Sequence, residues 1–152
     1  MKTNKIKKVL IALDYDETSQ KVAKAGLSLA KTLNAEIILL HVISEQPVYY
    51  SAYSYMVEYK VEFVEDLKIS IQKFLEKAKN HMGDESIKTI LKEGEVAETI
   101  LKTAKELNVD VIVMGSHSRK WLDDIVMGSA AKDVLKKTTV PLFIVPTKKQ
   151  VE

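Results

Sequence analysis

The chain reads as an α/β protein: a three-layer α/β/α sandwich built on a five-stranded parallel sheet of order 3-2-1-4-5, in one domain. Three observations predict this. Short apolar runs rich in strand formers recur five times, as strands buried on both faces of a parallel sheet do. Between them lie longer segments whose apolar residues fall three and four apart, the spacing of a helix with one buried face. The two kinds alternate strictly, β-α-β-α-β-α-β-α-β, and regular alternation implies right-handed crossovers with helices on both faces. The 152 residues fit a single domain, 1–152, with no linker or low-complexity stretch.

Each element has its own local reason. Val9–Leu13 is fully apolar and is expected to be the first strand. Asp14 to Ser19 is loop chemistry, and Thr18 or Ser19 is a candidate helix cap. Val22, Ala25, Gly26, Leu29 and Leu33 then mark one helical face, with Asn34 as its end. Glu36–Val42 is the second strand. Ile43 to Tyr59 is the least regular part, with Pro47 and five tyrosines, Tyr49, Tyr50, Tyr53, Tyr55 and Tyr59. Those rings are expected to cover the sheet or a subunit contact, since Tyr is common at interfaces; the sharper alternative places some over a ligand. A long helix is predicted from about Met56 to Met82, with Phe63, Leu67, Ile71, Phe74 and Ala78 as its buried stripe and Gly83 as its stop.

Ile87–Leu91 alternates only in part and is expected near an edge, with Gly94 after it. Val96, Ile100, Leu101, Ala104 and Leu107 define the third helix. Val109–Met114 is the fourth strand, Ser129–Lys137 the fourth helix, with Ala130, Ala131, Val134 and Leu135 available for packing, and Val140–Val145 the fifth strand, closed by Pro146. The polar tail, 148–152, is expected to fray.

Composition narrows the function. There is no cysteine, which excludes disulfides, a thiolate zinc site and a Cys nucleophile. The 23 basic and 21 acidic residues interleave along helical faces, unlike the basic stripe of a nucleic-acid binder. No apolar run approaches a membrane span, and the N-terminal run is too short for a signal peptide, so a cytoplasmic location is expected, with no nucleic-acid or membrane partner. His41, His81 and His117 are too scattered to suggest a metal site. His81 reads as a favourable charge at a helix C-terminus.

The chemistry gathers in Met114–Ala130, MGSHSRKWLDDIVMGSA, which holds the only arginine, Arg119, and the only tryptophan, Trp121. Gly115 follows a strand, and Gly128-Ser129 precedes a helix. Such a loop can wrap an anion: backbone donors at Gly115, Ser116, Ser118, Gly128 and Ser129, with Arg119 or Lys120 for outer phosphates. In a 3-2-1-4-5 sheet the strand order reverses between strands 1 and 4, so Asp14 and Gly115 should meet at one crevice, where such sheets bind ligands. Asp14 suits a ribose hydroxyl, an adenine amino group or a phosphate-bridging cation, and the backbone of His41-Val42 suits a base edge. Singly, each has a plainer reading: a turn for Gly115, a helix start for Gly128, an Asx-turn or cap for Asp14, packing for His41 and a solvated pair for Asp123-Asp124. Their co-location favours a site. No P-loop, GxGxxG or GxSxG is present. His117 beside serines and the Asp123-Asp124 pair does not amount to a catalytic triad.

At this point the chain resembles the universal stress protein family over nearly its whole length. The resemblance rests on Val9-Leu-Ile-Ala-Leu-Asp14, Ile38-Leu-Leu-His-Val42, Gly94, Val111-Ile-Val-Met-Gly-Ser116, Gly128-Ser129 and Val140-Pro-Leu-Phe-Ile-Val-Pro146. The nucleotide-binding branch carries G-x2-G-x9-G-[S/T]; here the counterpart is Gly115-x2-Ser118-x9-Gly128-Ser129, with Ser118 in place of one glycine. The resemblance implies a Rossmann-like fold, an adenine nucleotide as ligand (ATP, or AMP or ADP) with Mg or Mn bridging the phosphates, and a homodimer through the 140–146 strand. The nucleotide site would comprise Ala12, Leu13, Asp14, His41, Val42, Met114, Gly115, Ser116, His117, Ser118, Arg119, Gly128, Ser129 and Ala130. The expected function is a regulatory stress-response module with at most slow ATP hydrolysis, since no general base is aimed at a water. The alternatives are a stress protein acting through its dimer and protein contacts without nucleotide, and an enzyme of a related nucleotide-binding class.

Overall fold

Among the described residues nine elements alternate as anticipated: β1 (Lys8–Ala12), α1 (Ser19–Leu33), β2 (Glu36–Ser44), α2 (Ser54–Met82), β3 (Lys88–Gly94), α3 (Val96–Glu106), β4 (Val111–Gly115), α4 (Ser129–Lys137) and β5 (Leu142–Val145). The structure, a computed structural model, describes residues 1–44, 54–117 and 127–147. The expectations for Pro47, Tyr49, Tyr50 and Tyr53, for Ser118 to Asp124, and for the tail 148–152 lie outside the described residues. The five strands are all parallel, in the order β3-β2-β1-β4-β5.

Side-chain alternation splits the core into two layers. Val9, Ile11, Leu39, Val113 and their neighbours pack under α1 and α2. Leu10, Ile38, Leu40, Ile112 and Met114 pack under α3 and α4. Leu10, Ile11, Leu39, Leu40 and Ile112 are wholly enclosed. Each such side chain contributes about 1.5–3 kcal/mol of burial, so the central strands anchor the fold.

Several expectations change at the element ends. The irregular stretch is shorter than the composition suggests: Ile43-Ser44 continue β2, and α2 already begins at Ser54. Phe63 does not belong to the buried stripe of α2 and is 67% exposed; Leu75 and Met82 take that role with Ile71. Leu135 on α4 is likewise exposed. Thr18 occupies the N-cap position of α1 but its hydroxyl caps nothing. It donates to Asp16 Oδ1, which also accepts the Thr18 N–H at 2.8 Å. The Asx-turn here therefore belongs to Asp16. Glu95, an unusual cap, accepts from the N–H groups of Ala97 and Glu98 at the start of α3. Asn34 ends α1 in the left-handed region, φ 52°, as the sequence predicts. Among the described residues no helix is long and apolar enough to cross a membrane.

Candidate functional site

β1 and β4 are neighbours in the sheet, but their following helices leave on opposite faces: α1 joins one core layer and α4 the other. The chain therefore parts between their carboxyl ends, which is where open α/β sheets form a crevice. A cavity of about 200 Å³ occupies that gap. Ala12, Leu13 and Asp14 line it from the end of β1, and Leu40, His41 and Val42 from β2. Met114, Gly115, Ser116 and His117 line it from β4, and Gly128, Ser129, Ala130 and Ala131 from the start of α4. Val96 and Ile100 of α3 close it.

All twelve of the described residues expected at a site thus surround one cavity; Ser118 and Arg119 lie outside the described residues. Leu40, Val96, Ile100 and Ala131 were not anticipated. In sequence they are indistinguishable from core residues, and only the tertiary packing opens one side of them to the cavity.

The reasons for the two glycines differ from the sequence reading. A Cβ on Gly115 would lie 3.0 Å from Thr147 Cγ2 and 3.1 Å from Val22 Cγ2, so this glycine makes room for α1 and the β5 end. A Cβ on Gly128 would lie 3.3 Å from the Ser116 carbonyl. The Gly128 N–H donates to that carbonyl at 2.6 Å, which ties the start of α4 to the end of β4.

The donors of Ser116 are also committed within the protein, which corrects their assignment to an anion. Its N–H donates to Val145 at 2.9 Å. Its hydroxyl accepts the Thr147 N–H at 3.0 Å. Thr147 Oγ1 accepts the His117 N–H at 3.0 Å and donates to the His117 carbonyl at 2.9 Å. Thr147 is 6% exposed. This buried clamp, which the sequence analysis did not single out, fixes residues 115–117 against the end of β5. Among the described residues, the donors without a partner lie at the start of α4. Its first helical bond runs from Lys132 N–H to the Gly128 carbonyl, and Gly128 supplies no side-chain cap. The N–H groups of Ser129, Ala130 and Ala131 therefore sit at an uncapped positive helix end.

Two titratable groups line the cavity at the ends of β1 and β2, Asp14 and His41. Burial pushes Asp14 up to about 6, and the nearby Asp16 carboxylate adds to the rise. Burial lowers His41, opposed by its bond to Leu13 and by Asp16. His41 Nδ1 lies 2.5 Å from the Leu13 carbonyl, which can only accept, so this nitrogen carries the proton. Tyr15 packs edge-on to the His41 ring at 6.4 Å and against Phe74 of α2 at 5.2 Å. His117 is buried, and among the described residues its Nδ1 has no hydrogen-bond partner. Among the described residues no group of three His, Asp or Glu side chains is placed to hold a metal.

A parallel sheet covered on both faces, with a cavity and an uncapped helix start at its strand-order reversal, defines a Rossmann-like α/β protein. The universal stress protein family model matches residues 5–146, and the chain belongs to that family. It is 33% identical over 144 residues to universal stress protein YxiE of Bacillus subtilis, covering 91% of this chain and 97% of the relative. It is 34% identical over 162 residues to universal stress protein MJ0577 of Methanocaldococcus jannaschii, covering 93% and 96%. The solved structure of MJ0577 superposes with a TM-score of 0.80 at 30% identity, over 97% of this chain and all (100%) of that one. A universal stress protein of Archaeoglobus fulgidus, solved in complex with dAMP, shares the fold at a TM-score of 0.61 and 18% identity, over 93% and 98%.

Proposed function

We propose that this protein binds an adenine nucleotide, ATP or its mono- or diphosphate, in the β1–β4 crevice and acts as a nucleotide-responsive regulatory module in the stress response. The observation that carries the reading is one cavity bounded by a buried carboxylate, Asp14, on one side and the uncapped α4 start on the other. An adenosine is rich in hydroxyl and amino donors, which suit Asp14, and its phosphates suit a helix N-terminus. A cavity of about 200 Å³ fits the nucleoside end, with the phosphates running out over Ser129 and Ala130. The apolar wall of Val42, Val96 and Ile100 suits the base. A divalent cation would be carried mainly by phosphate oxygens, with Asp14 as the nearest protein carboxylate. The dAMP complex of the Archaeoglobus protein is in keeping with this reading.

The chain is further proposed to form a homodimer through β5. Among the described residues this strand has β4 on one side only, and Phe143 and Leu135 expose apolar surface on it and on α4. An open apolar edge of this kind calls for cover.

Titration calorimetry of the folded protein with ATP and magnesium tests the nucleotide reading. Saturable heat with a raised thermal midpoint is expected. A folded protein that gives neither refutes it and leaves the dimer and protein-contact reading in its place.

A further inference from the structure

Among the described residues β3 is an end strand of the sheet, with β2 on one side only. The register fixes which of its backbone groups are left over. The Leu40 carbonyl accepts from Leu13, so Leu40 turns its backbone to β1, and its neighbours Leu39 and His41 turn theirs to β3. Leu39 and His41 are opposite Thr89 and Leu91. In a parallel ladder a residue bonds the two residues flanking the one opposite it, so Lys88, Ile90 and Lys92 bond β2. Thr89, Leu91 and Glu93 therefore turn their N–H and C=O groups outward, and among the described residues no strand bonds them.

Helix α2 runs alongside this edge. The side chains of the same three residues lie on its face of the sheet: Thr89 Oγ1 donates to Glu76 at 3.0 Å, Lys68 pairs with Glu93 at 2.9 Å, and Leu91 packs against the core layer under α2. Between helix and strand lies an open groove of about 550 Å³. Ile69, Lys73, Glu76 and Lys77 of α2 form one wall, and Thr89 and Leu91 the other. Ile69, 54% exposed, and Leu91 give the groove an apolar strip. An open strand edge with a helix beside it and a groove between them is what an extended peptide fills when it adds to a sheet: main-chain bonds hold it, and alternate side chains are read by the groove.

Charge selects the occupant. Around the edge Lys68, Lys88 and Lys92 are each paired, with Glu93, Glu36 and Glu106. Lys73 and Lys77, one helical turn apart in the groove wall, have no carboxylate partner among the described residues. Glu76, the one carboxylate among the described residues lining the groove, is engaged by Thr89. A second copy of this chain suits the edge poorly. Antiparallel pairing of two β3 strands about Leu91 puts both α2 helices on the same face, with Lys73 and Lys77 toward their own counterparts.

We propose that the β3 edge and the α2 groove form a docking site for an extended acidic segment of a partner protein, which adds to the sheet as a further strand beside β3. The site shares no lining residue with the cavity at β1 and β4, and it stands whether or not that cavity holds a nucleotide.

The probe is a blocked peptide as long as β3, 7 residues, alternating glutamate and valine, with its lysine–valine counterpart as control. Amide exchange of the free protein is expected to find Thr89, Leu91 and Glu93 fast, with Ile90 and Lys92 slow between them. The glutamate peptide should slow the three outward amides by about tenfold or more, as new main-chain bonds protect them, and the lysine peptide should leave them fast. The double variant Lys73→Glu, Lys77→Glu changes two exposed side chains. It should bind the glutamate peptide about tenfold more weakly and the lysine peptide more tightly, with Tm unchanged. Outward amides that stay fast with the glutamate peptide, or equal binding of that peptide by the variant and the wild type, overturn the proposal. Protection of the same amides that rises with protein concentration alone assigns the edge to a second copy and overturns it too.

Discussion

Replacing Asp14 by asparagine should make the protein more stable and less functional at once. Asp14 titrates at about 6 in the folded protein against an ordinary 3.8, chiefly because it is buried. Between those two values the folded state holds a proton that the unfolded chain has lost, so stability falls as pH rises from about 4 to 6. Above pH 6 the full cost of the buried charge is present, about 3 kcal/mol from the gap between the two values. An amide of the same shape removes the charge but keeps part of the desolvation cost. A net gain of about 1–2 kcal/mol at pH 8 is expected, or a rise of about 3–6 °C in Tm for a chain of this length. Urea denaturation at pH 8, 6 and 4 measures it. The gain should shrink as pH falls below about 6 and reverse in sign by about pH 4, where the folded wild type is protonated and only the amide's own desolvation cost remains. The same variant should lose nucleotide affinity, because an amide is a poorer acceptor for ribose or adenine donors. A variant less stable than wild type at pH 8, or a difference that does not vary with pH, would show that Asp14 is not held against a desolvation cost.

Adenosine, which carries no phosphate to titrate, should bind progressively more weakly below about pH 6, by up to tenfold per pH unit, as Asp14 protonates; calorimetry across pH 5–8 checks this. Gly128→Asp should abolish nucleotide binding at little cost in stability. The new carboxylate caps α4 and competes with the phosphate there, although its Cβ is tight against the Ser116 carbonyl, 3.3 Å away. Thr147→Val keeps the shape but strips the acceptor from the buried His117 N–H and the donor from its carbonyl. It should cost about 2–4 kcal/mol in denaturant unfolding, with Thr147→Ser largely restoring it. Phe143→Lys should convert a dimer to a monomer in sedimentation without changing the circular dichroism; a wild-type protein that is already monomeric removes the basis for this proposal.

The grouping of residues around the candidate cavity is legible in the sequence, for a definite reason. Strand ends and helix starts are marked locally, by apolar runs that stop and by glycine next to serine. Once the strand order is taken as 3-2-1-4-5, topology alone brings the ends of strands 1, 2 and 4 together. What was not legible arises where distant parts of the chain meet. Gly115 lines the cavity, and its packing against Val22 and Thr147, 93 and 32 residues away in sequence, is a further reason for glycine that the sequence does not show. Ser116 looked like a donor for an anion and proves committed to Thr147 and Val145. Phe63 and Leu135 fell on predicted apolar faces and lie exposed, because periodicity says which residues share a face and not how far along a helix its neighbours reach.

By itself, then, the chain determined its alternation of elements, their approximate bounds, its family, and the set of strand ends and helix starts that could make a crevice. These depend on local propensity and on periods of two and 3.6 residues, which can be read without knowing what packs where. Tertiary structure decided the rest: the depth at which Asp14 is buried and hence its reluctance to ionise, the clamp of Thr147 on the loop after β4, and the reach of the His41 ring to the Leu13 carbonyl. Each is a matter of a few ångströms between residues far apart in sequence, and hydrogen bonding and desolvation are sensitive to distances of that order.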